Sequence, residues 1–388
     1  MQTDDSSSGG LNIFGDVEPT LFGKEEIDFI LRYAASHGSS DIHFVPGYPV
    51  KMEIMGSLVD GTMRSLGYED TAAVVTASKG VDGMPQILGG KALSYAYEIP
   101  AIPDTPLIKG SYRFRTESAG CEYMANSASR TVFRYLPSDV PRLETQTPAI
   151  SEELIKFFTP TRGLVLVVGS TGTGKSTLMA GFVRYIGERR SINVMTFEEP
   201  IEFVYRPERL RKEGDWKAMV IQSEIGKHYP TWNDAMKSAL RSAPKVALVG
   251  EMRDADSIKI AIEFVRTGHC LYSTMHVDGV AAVPAEVARR SGDDADAWSR
   301  VVSVLRGVFY QRLAKRIDGG RMAVREYLVV DADIRNRLMH CSSAKEAEKL
   351  ILDTIRERGT DIASEARRLL HAGFITEEEA ERIIREAY

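Results

Sequence analysis

The run Gly-Ser-Thr-Gly-Thr-Gly-Lys-Ser at residues 169–176 has the residue types and the spacing of a phosphate-binding loop. It lies between an apolar run typical of a buried strand, residues 163–169, and a stretch typical of a helix, which is the context that the motif requires. Its glycines let backbone N–H groups turn toward phosphate oxygens, and the helix adds its positive dipole end there. We therefore expect ATP or GTP to bind here.

Two side chains of this loop have separate expected roles. Lys175 would reach the β- and γ-phosphates, and the Ser176 hydroxyl would ligate Mg²⁺. The predicted nucleotide-binding residues are Gly169, Ser170, Thr171, Gly172, Thr173, Gly174, Lys175, Ser176 and Thr177.

A second apolar run, residues 246–250, ends in a single carboxylate, Glu251. A buried strand beside the loop strand would bring this acid close to the metal ion. Many proteins with a phosphate loop carry an Asp at the strand end, where this chain has Gly250. Coordination of Mg²⁺ would then depend on Ser176, the phosphates and Glu251, mostly through water. The alternative is a surface acid that merely follows a strand.

Two adjacent acids, Glu198 and Glu199, follow another apolar run, residues 192–197, and Pro200 then turns the chain. Strand ends are where a doubly wound sheet gathers its active site, and hydrolysis needs a carboxylate that orients and deprotonates water. Because adjacent strand residues point to opposite faces, only one of the two can face the γ-phosphate. We favour Glu198 as the base, with Glu199 as the other candidate. Glu202 lies just beyond, and a solvated acidic loop is the alternative.

Two histidines, His269 and His276, bracket a further apolar run that is typical of a strand. His276, at the carboxyl end, is the candidate sensor of the γ-phosphate. His269, at the opposite end, is a candidate interface residue. The intervening strand separates them by roughly 20 Å, which argues against a two-histidine metal site.

Four arginines alternate with other residues in two short runs that read as strands, namely Arg113, Arg115, Arg130 and Arg134. Residues two or four apart share one face of a strand. A solvated basic face with salt bridges is one explanation. Arginine fingers that reach an ATP across a domain or subunit boundary are a second, and contacts to nucleic-acid phosphates are a third. The acidic net charge of −5 and the lack of aromatic residues on that face favour fingers.

Composition indicates an ordinary soluble protein. The chain has 388 residues, 27% charged and 43% hydrophobic, and its net charge provides no bulk attraction to nucleic acid or acidic lipid. Its cysteines, Cys121, Cys270 and Cys341, are far apart and fit neither a disulfide framework nor a zinc site, so we expect a reducing, cytoplasmic compartment. We find no signal peptide at the start and no apolar run of about 18 residues that could span a membrane.

The pattern along the chain predicts five regions. Residues 1–20 are polar and glycine-rich, which favours a mobile tail. Residues 21–136 predict a small α+β domain with an antiparallel sheet, and residues 137–149 a proline-containing linker. Residues 150–330 alternate apolar strands with amphipathic helices, which is typical of an α/β doubly wound, mainly parallel sheet. Residues 331–388 predict helices with apolar stripes.

The order of these motifs resembles a known family. The segments GSTGTGKST, TFEEPIEF, ALRSAPKVALVGEMRD and TGHCLYSTMHVDG resemble the phosphate loop, "aspartate box", Walker B segment and "histidine box" of the bacterial type II and type IV secretion ATPases (PilT/GspE-like). SSDIHFVPGYPVKMEIMGSL, the arginine-bearing strands, VIQSEIG and the run that begins YQRLAKRIDGG are similar to further segments of that family. The resemblance spans roughly residues 22–385, and Gly-Glu is the family's usual ending of the Walker B strand.

The resemblance implies a RecA-like P-loop ATPase domain after a smaller PAS-like α+β domain, with a helical C-terminal extension. It also implies a ring homohexamer with ATP and Mg²⁺ in a cleft between the domains, docked on inner-membrane components of a secretion apparatus. The chain looks closest to the ATPases of type IVB secretion and conjugation (DotB/TraJ type, including Dot/Icm). The reason is that Ala243-Pro244-Lys245 and residues 273–278 depart from the usual retraction-motor motifs.

Three other functions stay open at this point. A pilus retraction ATPase of the PilT type is the nearest alternative. A hexameric nucleic-acid motor is a different class, although we expect no direct nucleic-acid partner. A nucleotide-gated adaptor would bind ATP and assemble without hydrolysing it.

Overall fold

The computed structural model describes the chain in six stretches, residues 13–15, 17–54, 56–100, 111–136, 139–292 and 296–386. Most of the tail predicted at residues 1–20, and residues 137–138 of the predicted linker, lie outside the described residues. The chain divides into two compact units, of which the first ends at Asp139 and the second begins at Val140.

The described part of the first unit is an antiparallel sheet with helices packed against it. Its sheet has six strands in the order β3-β2-β1-β6-β5-β4. The strands are β1 (Ser39–Phe44), β2 (Lys51–Ile54), β3 (Ser57–Asp60), β4 (Leu93–Ile99), β5 (Tyr112–Tyr123) and β6 (Asn126–Leu136). The helices are α1 (Lys24–Ser36), α2 (Tyr68–Lys79) and α3 (Gly83–Leu88). This is the α+β arrangement that the sequence predicted.

Helix α1 shows why the first unit folds as it does. Ile27, Ile30, Leu31 and Ala34 recur at helical spacing, and all four are fully buried in the core of this unit. The chain then turns at Gly38, where φ is 75° and a side chain would be strained. The apolar stripe therefore fastens the helix to the sheet.

The two arginine-bearing runs belong to one long hairpin. β5 and β6 pair along their whole length, from Arg113 opposite Leu136 to Tyr123 opposite Asn126. The turn is formed by Met124 and Ala125, with φ values of 50° and 60°. Turns of this kind favour Gly, Asn or Asp, and because none stands at these two positions the hairpin was not evident from the sequence.

The second unit contains the mainly parallel sheet that the sequence predicted. Its order is β13-β12-β7-β11-β10-β8-β9. The strands are β7 (Gly163–Val168), β8 (Asn193–Glu198), β9 (Met219–Glu224), β10 (Val246–Val249), β11 (Cys270–Met275), β12 (Leu305–Lys315) and β13 (Arg321–Val329). Only β13, at one edge, is antiparallel to its neighbour.

Helices connect these strands and continue to the end of the described chain. Before β7 lies α4 (Glu152–Phe158), and between the strands lie α5 (Lys175–Arg189), α6 (Pro207–Glu213), α7 (Trp232–Ser242), α8 (Ala255–Arg266), α9 (Val283–Arg290) and α10 (Ala297–Val304). After β13 come α11 (Ala332–Met339), α12 (Ala344–Glu357), α13 (Ile362–His371) and α14 (Glu377–Glu386). No described helix has the length and apolar character that a membrane span needs.

The central strands are buried on both faces. Leu164, Leu166 and Val168 of β7 belong to one apolar core, whereas Val165 and Val167 belong to the core on the other face. Each such side chain contributes about 2 kcal/mol by leaving water. This explains the continuous apolar runs of β7 and β10, and it fixes the position of their carboxyl ends.

The ends of the second unit are part of its cores. Val140 and Leu143, within the predicted linker, are buried in the core that also contains Val165. Ile351 of α12 and Ile383 of α14 are buried in the core that also contains Leu166. The C-terminal helices therefore pack as a layer of the second unit.

Candidate functional site

The phosphate loop has a backbone that only glycine adopts readily. Gly169, Gly172 and Gly174 have φ values of 142°, 79° and 86°, all in the left-handed region. Two of these glycines also have no room for a side chain. A Cβ on Gly169 would lie 2.8 Å from the carbonyl oxygen of Gln311, and a Cβ on Gly174 would lie 2.6 Å from Gln311 Nε2. Helix α5 begins directly after Gly174, so its first backbone N–H groups face the space that the loop encloses.

Lys175 is folded into the loop. Its Nζ donates hydrogen bonds to the carbonyl oxygens of Gly169 and Ser170, each at 2.7 Å. Burial lowers the pKa of Lys175, and nearby Glu251 and Glu202 oppose this effect. The ammonium group therefore lies in the field of two predicted site acids.

The other loop residues differ in exposure. Ser170, Thr171 and Gly172 are exposed at the tip, while Thr173 is buried and donates from Oγ1 to the carbonyl oxygen of Ser170 at 2.9 Å. Ser176 and Thr177 are half-buried in the first turn of α5. Ser176 therefore lies in the first turn of the helix that directly follows the loop glycines.

Titratable side chains from three strand ends and α9 converge next to the loop. We call Glu199, Glu251, Arg253, His276 and Arg290 the strand-end cluster. Arg253 donates from Nε to Glu251 at 3.0 Å, and its Nη1 lies 3.3 Å from Glu199. Arg290 Nη1 and His276 Nε2 lie 3.7 and 3.9 Å from the Glu251 carboxylate. Glu251 is thus the acid that the other groups share.

The surroundings of His276 favour its neutral form. Burial lowers its pKa first, and the positive charges of Lys175, Arg290 and Arg253 lower it further, against the opposing effect of Glu251. The His276 side chain is partly exposed. It lies beside the loop, because the preceding residue, Met275, accepts a hydrogen bond at its carbonyl oxygen from Gly169 N at 3.3 Å. A neutral imidazole here can accept or donate one hydrogen bond to a phosphate.

Gly250 is explained by packing. A Cβ at this position would lie 2.7 Å from Cη2 of Trp232, so a larger residue would displace the ring. The backbone is held on both sides, because Gly250 N donates to Phe197 O at 2.9 Å and the Thr274 hydroxyl donates to Gly250 O. An Asp here would have to displace the Trp232 ring, whereas Glu251, the next position, follows the strand without that contact.

Glu198 and Glu199 have different partners. Thr196 donates from Oγ1 to Glu198 at 2.7 Å, and Gln222 Nε2 approaches the same oxygen at 3.5 Å. Burial raises the pKa of Glu198 to about 7, with the charge of Glu202 adding to the effect. Glu199 is exposed and pairs with Arg253. The two acids therefore belong to different surroundings, as their adjacency on a strand implies.

His269 lies at the other end of β11. Its Nδ1 is 2.9 Å from Thr267 Oγ1 and 3.2 Å from Phe264 O, and its ring stacks on Phe264 with the centroids 4.6 Å apart. These contacts are local. The structure does not bring His269 to the strand-end cluster.

The four predicted arginines lie on one face of the hairpin in the first unit. Arg134 donates from Nε to Asp41 at 2.8 Å, and Arg113 Nε lies 3.5 Å from Glu98. Each acid is the direct cross-strand neighbour of its arginine. Arg115 stands opposite Arg134, and Arg130 stands opposite Ala119. Arg113 is also buried.

Sequence reasoning missed three residues that shape the site. Arg253 was visible two positions after Glu251, but its bridge to Glu199 depends on strand order. Arg290 lies in α9, and no local signal connects it to Glu251. Glu326 of β13 is a buried acid that accepts hydrogen bonds from Val280 N at 2.7 Å and Ile362 N at 3.1 Å. It anchors the loop that follows His276.

Ser176 and Glu251 are the residues that fit a magnesium ion. They supply a hydroxyl and a carboxylate, the oxygen ligands that Mg²⁺ prefers. In the part of the chain that the structure describes, no group of three or more His, Cys, Asp or Glu residues is placed to hold a metal. The donor set therefore suits an ion that keeps most of its waters and also binds phosphate.

Comparison with known proteins assigns the family. Residues 112–319 match the family model described as type II/IV secretion system protein, which is more than half of the chain. The chain belongs to this family. It is thereby a member of the secretion ATPase superfamily, as the motifs indicated, and its relatives include a type IV pilus ATPase and a type II secretion system protein. One relative is the type IV pilus retraction ATPase PilT of Pseudomonas aeruginosa, 29% identical over 80% of this chain and 84% of PilT.

Solved structures of the same superfamily are similar along nearly the whole chain. The Legionella pneumophila ATPase DotB is 30% identical, with a TM-score of 0.81 over 96% of this chain and 98% of DotB. The Yersinia pseudotuberculosis ATPase DotB is 25% identical, also with a TM-score of 0.81, over 98% and 99% of the two chains. The ATPase fold and the helical C-terminal region predicted from the sequence are therefore confirmed.

Proposed function

We propose that this secretion ATPase hydrolyses ATP as a homohexameric motor of a type IVB secretion or conjugative transfer apparatus. The observation that carries the hydrolysis proposal is the convergence of Lys175 and Ser176 with Glu251 and His276. These groups come from three separate parts of the sequence, and the charge of Lys175 acts on both Glu251 and His276. Such a convergence fits phosphoryl transfer, in which positioning and charge stabilisation do most of the work.

The loop and the cluster divide the work of hydrolysis. The loop amides and Lys175 bind the triphosphate, and Lys175 stabilises charge that develops on the γ-phosphate. His276, held neutral, donates a hydrogen bond to the γ-phosphate and so reports its presence. Arg253 and Arg290 fix the orientation of the Glu251 carboxylate. Bound Mg²⁺, held through Ser176 and water on Glu251, would neutralise phosphate charge.

The acid that takes the proton from water is proposed to be Glu198, with Glu199 as the competing candidate. The pKa of Glu198 near 7 suits a base that works at neutral pH. Glu199 is connected to Glu251 through Arg253, which suits a residue that orients the cluster. Replacing each by Gln separates the two: Glu198→Gln should remove the ionisation near pH 7 from the kcat profile, whereas Glu199→Gln should retain it.

The choice of apparatus rests on two observations. The similarity to the DotB structures covers both units and the C-terminal helices, and the motifs at residues 243–245 and 273–278 depart from those of retraction motors. The similarity to PilT favours pilus retraction as the second candidate. Deleting the gene in its host distinguishes them: we expect loss of protein translocation or conjugative transfer with twitching motility intact. Loss of twitching alone would favour retraction.

The same proposal includes location and partners. We place the motor in the cytoplasm, peripheral to the inner membrane and docked on components of the apparatus, with no direct contact to nucleic acid. Arg113, Arg115, Arg130 and Arg134 are proposed to supply charge to ATP across a domain or subunit boundary. Arg113 and Arg134 would have to exchange an acid of their own sheet for phosphate.

Hydrolysis and assembly are tested together on the purified chain. We expect phosphate release from ATP that requires Mg²⁺, a sixfold mass in native mass spectrometry, and no stimulation by DNA. Lys175→Ala should reduce turnover at least about 100-fold while leaving the protein folded. DNA-stimulated turnover with a steep salt dependence would favour a nucleic-acid motor. Assembly with bound ATP and no phosphate release, even with the apparatus present, would favour the adaptor.

A further inference from the structure

Gln311 is a buried amide on β12 that the predicted nucleotide site did not include. Its Nε2 donates a hydrogen bond to the carbonyl oxygen of Thr173, 2.7 Å away, in the middle of the phosphate loop. The same amide lies against Gly174. Gln311 is 4% exposed, so the loop and its neighbours, not solvent, satisfy this side chain. The amide therefore sets how closely the loop approaches β12.

Arg325 stands opposite Gln311 on β13 and holds the other end of the amide. Its Nε donates to Gln311 Oε1 at 3.3 Å, its Nη2 to Gln146 Oε1 at 2.7 Å and its Nη1 to Pro148 O at 2.7 Å. The guanidinium is buried, and burial lowers the pKa of Arg325 to about 10. Its hydrogen bonds go to neutral oxygens, and the charge of Glu365 offsets part of the burial. A cation buried in this way is costly, and an apolar side chain would serve a purely mechanical attachment better.

The residues that Arg325 holds belong to the stretch by which the chain enters the second unit. This connecting segment, residues 140–149, is also attached to α5. Arg184 donates to the carbonyl oxygen of Val140, and Leu143 packs against Gly181, which has no room for a side chain. The segment is therefore bonded both to the helix that follows the phosphate loop and, through two side chains, to the loop itself.

We propose that Gln311 and Arg325 are positioning residues that couple the phosphate loop to the connecting segment. The coupling rests on the proposed function and deepens it. Phosphate binding displaces the Thr173 carbonyl, Gln311 follows it, and Arg325 passes the displacement to Gln146 and Pro148. Because coupling between two sites is reciprocal, breaking this relay changes nucleotide affinity as well as the response of the segment.

The test compares variants that remove the hydrogen bonds but keep the volume. Gln311→Met, Arg325→Met and the double variant are assayed for the KM of ATP and for kcat. Arg335→Met is the matched control, because Arg335 also donates to backbone carbonyls, those of Leu305 at 2.6 Å and Val330 at 3.3 Å, without contacting the loop. Hydrogen exchange of the connecting segment is measured with and without saturating MgADP.

We expect each single variant to raise the KM of ATP about tenfold, and the double variant to raise it no further, because one break already opens the relay. Arg325→Lys should recover part of the loss, since an ammonium reaches some of the same oxygens. MgADP should change exchange in the connecting segment of the wild type and of Arg335→Met, but not of Gln311→Met. The Arg335→Met variant should lose stability and keep its KM.

Two results would overturn the coupling. One is a wild-type KM in Gln311→Met and Arg325→Met at temperatures where they are folded. The other is a nucleotide-dependent exchange change that persists in both variants. A wild-type chain that neither binds nor hydrolyses ATP would instead refute the proposed function, so the two failures are distinguishable.

Discussion

The two sheets of this molecule arrange charge in opposite ways. In the antiparallel sheet of the first unit, each of two arginines pairs with an acid directly across a strand, and the pairs are spread along the hairpin face. In the parallel sheet of the second unit, acids and bases gather at the carboxyl ends of the strands, where several groups share Glu251. Parallel strands bring their carboxyl ends to one edge of the sheet, so charged side chains gather at that edge. The antiparallel sheet instead spreads its charged pairs along one face.

The comparison predicts that the largest effects come from the shared acid. Glu251→Gln keeps the size of the side chain but removes the charge that Arg253, Arg290 and His276 face. We expect ATP still to bind, with kcat reduced about 100- to 1,000-fold, because a charge preorganised for the transition state is lost. Steady-state kinetics and nucleotide binding measure the two effects. Glu263→Gln, an exposed acid on α8, is the control and should match the wild type.

Glu198 should give the next largest effect, on stability. Its pKa is raised from 4.5 to about 7 in the folded chain, so the folded chain takes up a proton at pH values between 4.5 and 7 where the unfolded chain does not. The stabilisation present below pH 4.5 is lost as the pH rises through 7, by about 2 kcal/mol after allowing for partial exposure. Glu198→Gln does not titrate and should exceed the wild type in urea midpoint at pH 8, with the gap closing at pH 5. An equal gap at both values would contradict this.

The two histidines sharpen the contrast within one strand. His276→Ala should lower kcat about tenfold, since the side chain faces the shared acid and the loop. His269→Ala should leave kcat within about twofold and lower the free energy of unfolding by about 1 kcal/mol, because only local hydrogen bonds and one ring contact are lost. Steady-state kinetics of both variants measure kcat, and urea unfolding measures the free energy of unfolding. A comparable kcat loss at His269 would remove the distinction between the two ends.

The smallest effect is expected in the first unit. Arg134→Gln breaks a pair whose arginine is 58% exposed, so the loss of unfolding free energy should be no more than about 1 kcal/mol. Asp41→Asn breaks the same pair from the other side and serves as the reciprocal control. If kcat instead falls by more than about 100-fold with stability unchanged, Arg134 leaves Asp41 during turnover and acts on phosphate.

The features that the sequence could predict are those that depend on residues close together in the chain. The phosphate loop and the buried strands are set by neighbouring residues, and the structure contains both of them. Arg290 and Glu326 could not be found, because their partners are far away in the chain and depend on the order of strands. The β5–β6 turn was missed because Met124 and Ala125 are not usual turn residues. The functional roles of the site residues stay predictions.

The placement of the C-terminal helices has a practical consequence for dissecting the motor. Since Ile351 and Ile383 share an apolar core with strand β7, a chain cut after Val330 would expose one face of the parallel sheet to water. Such a deletion would abolish activity through misfolding, whatever these helices recognise. Point substitutions on their solvent side, such as Glu381→Lys, are the cleaner way to ask what docks there.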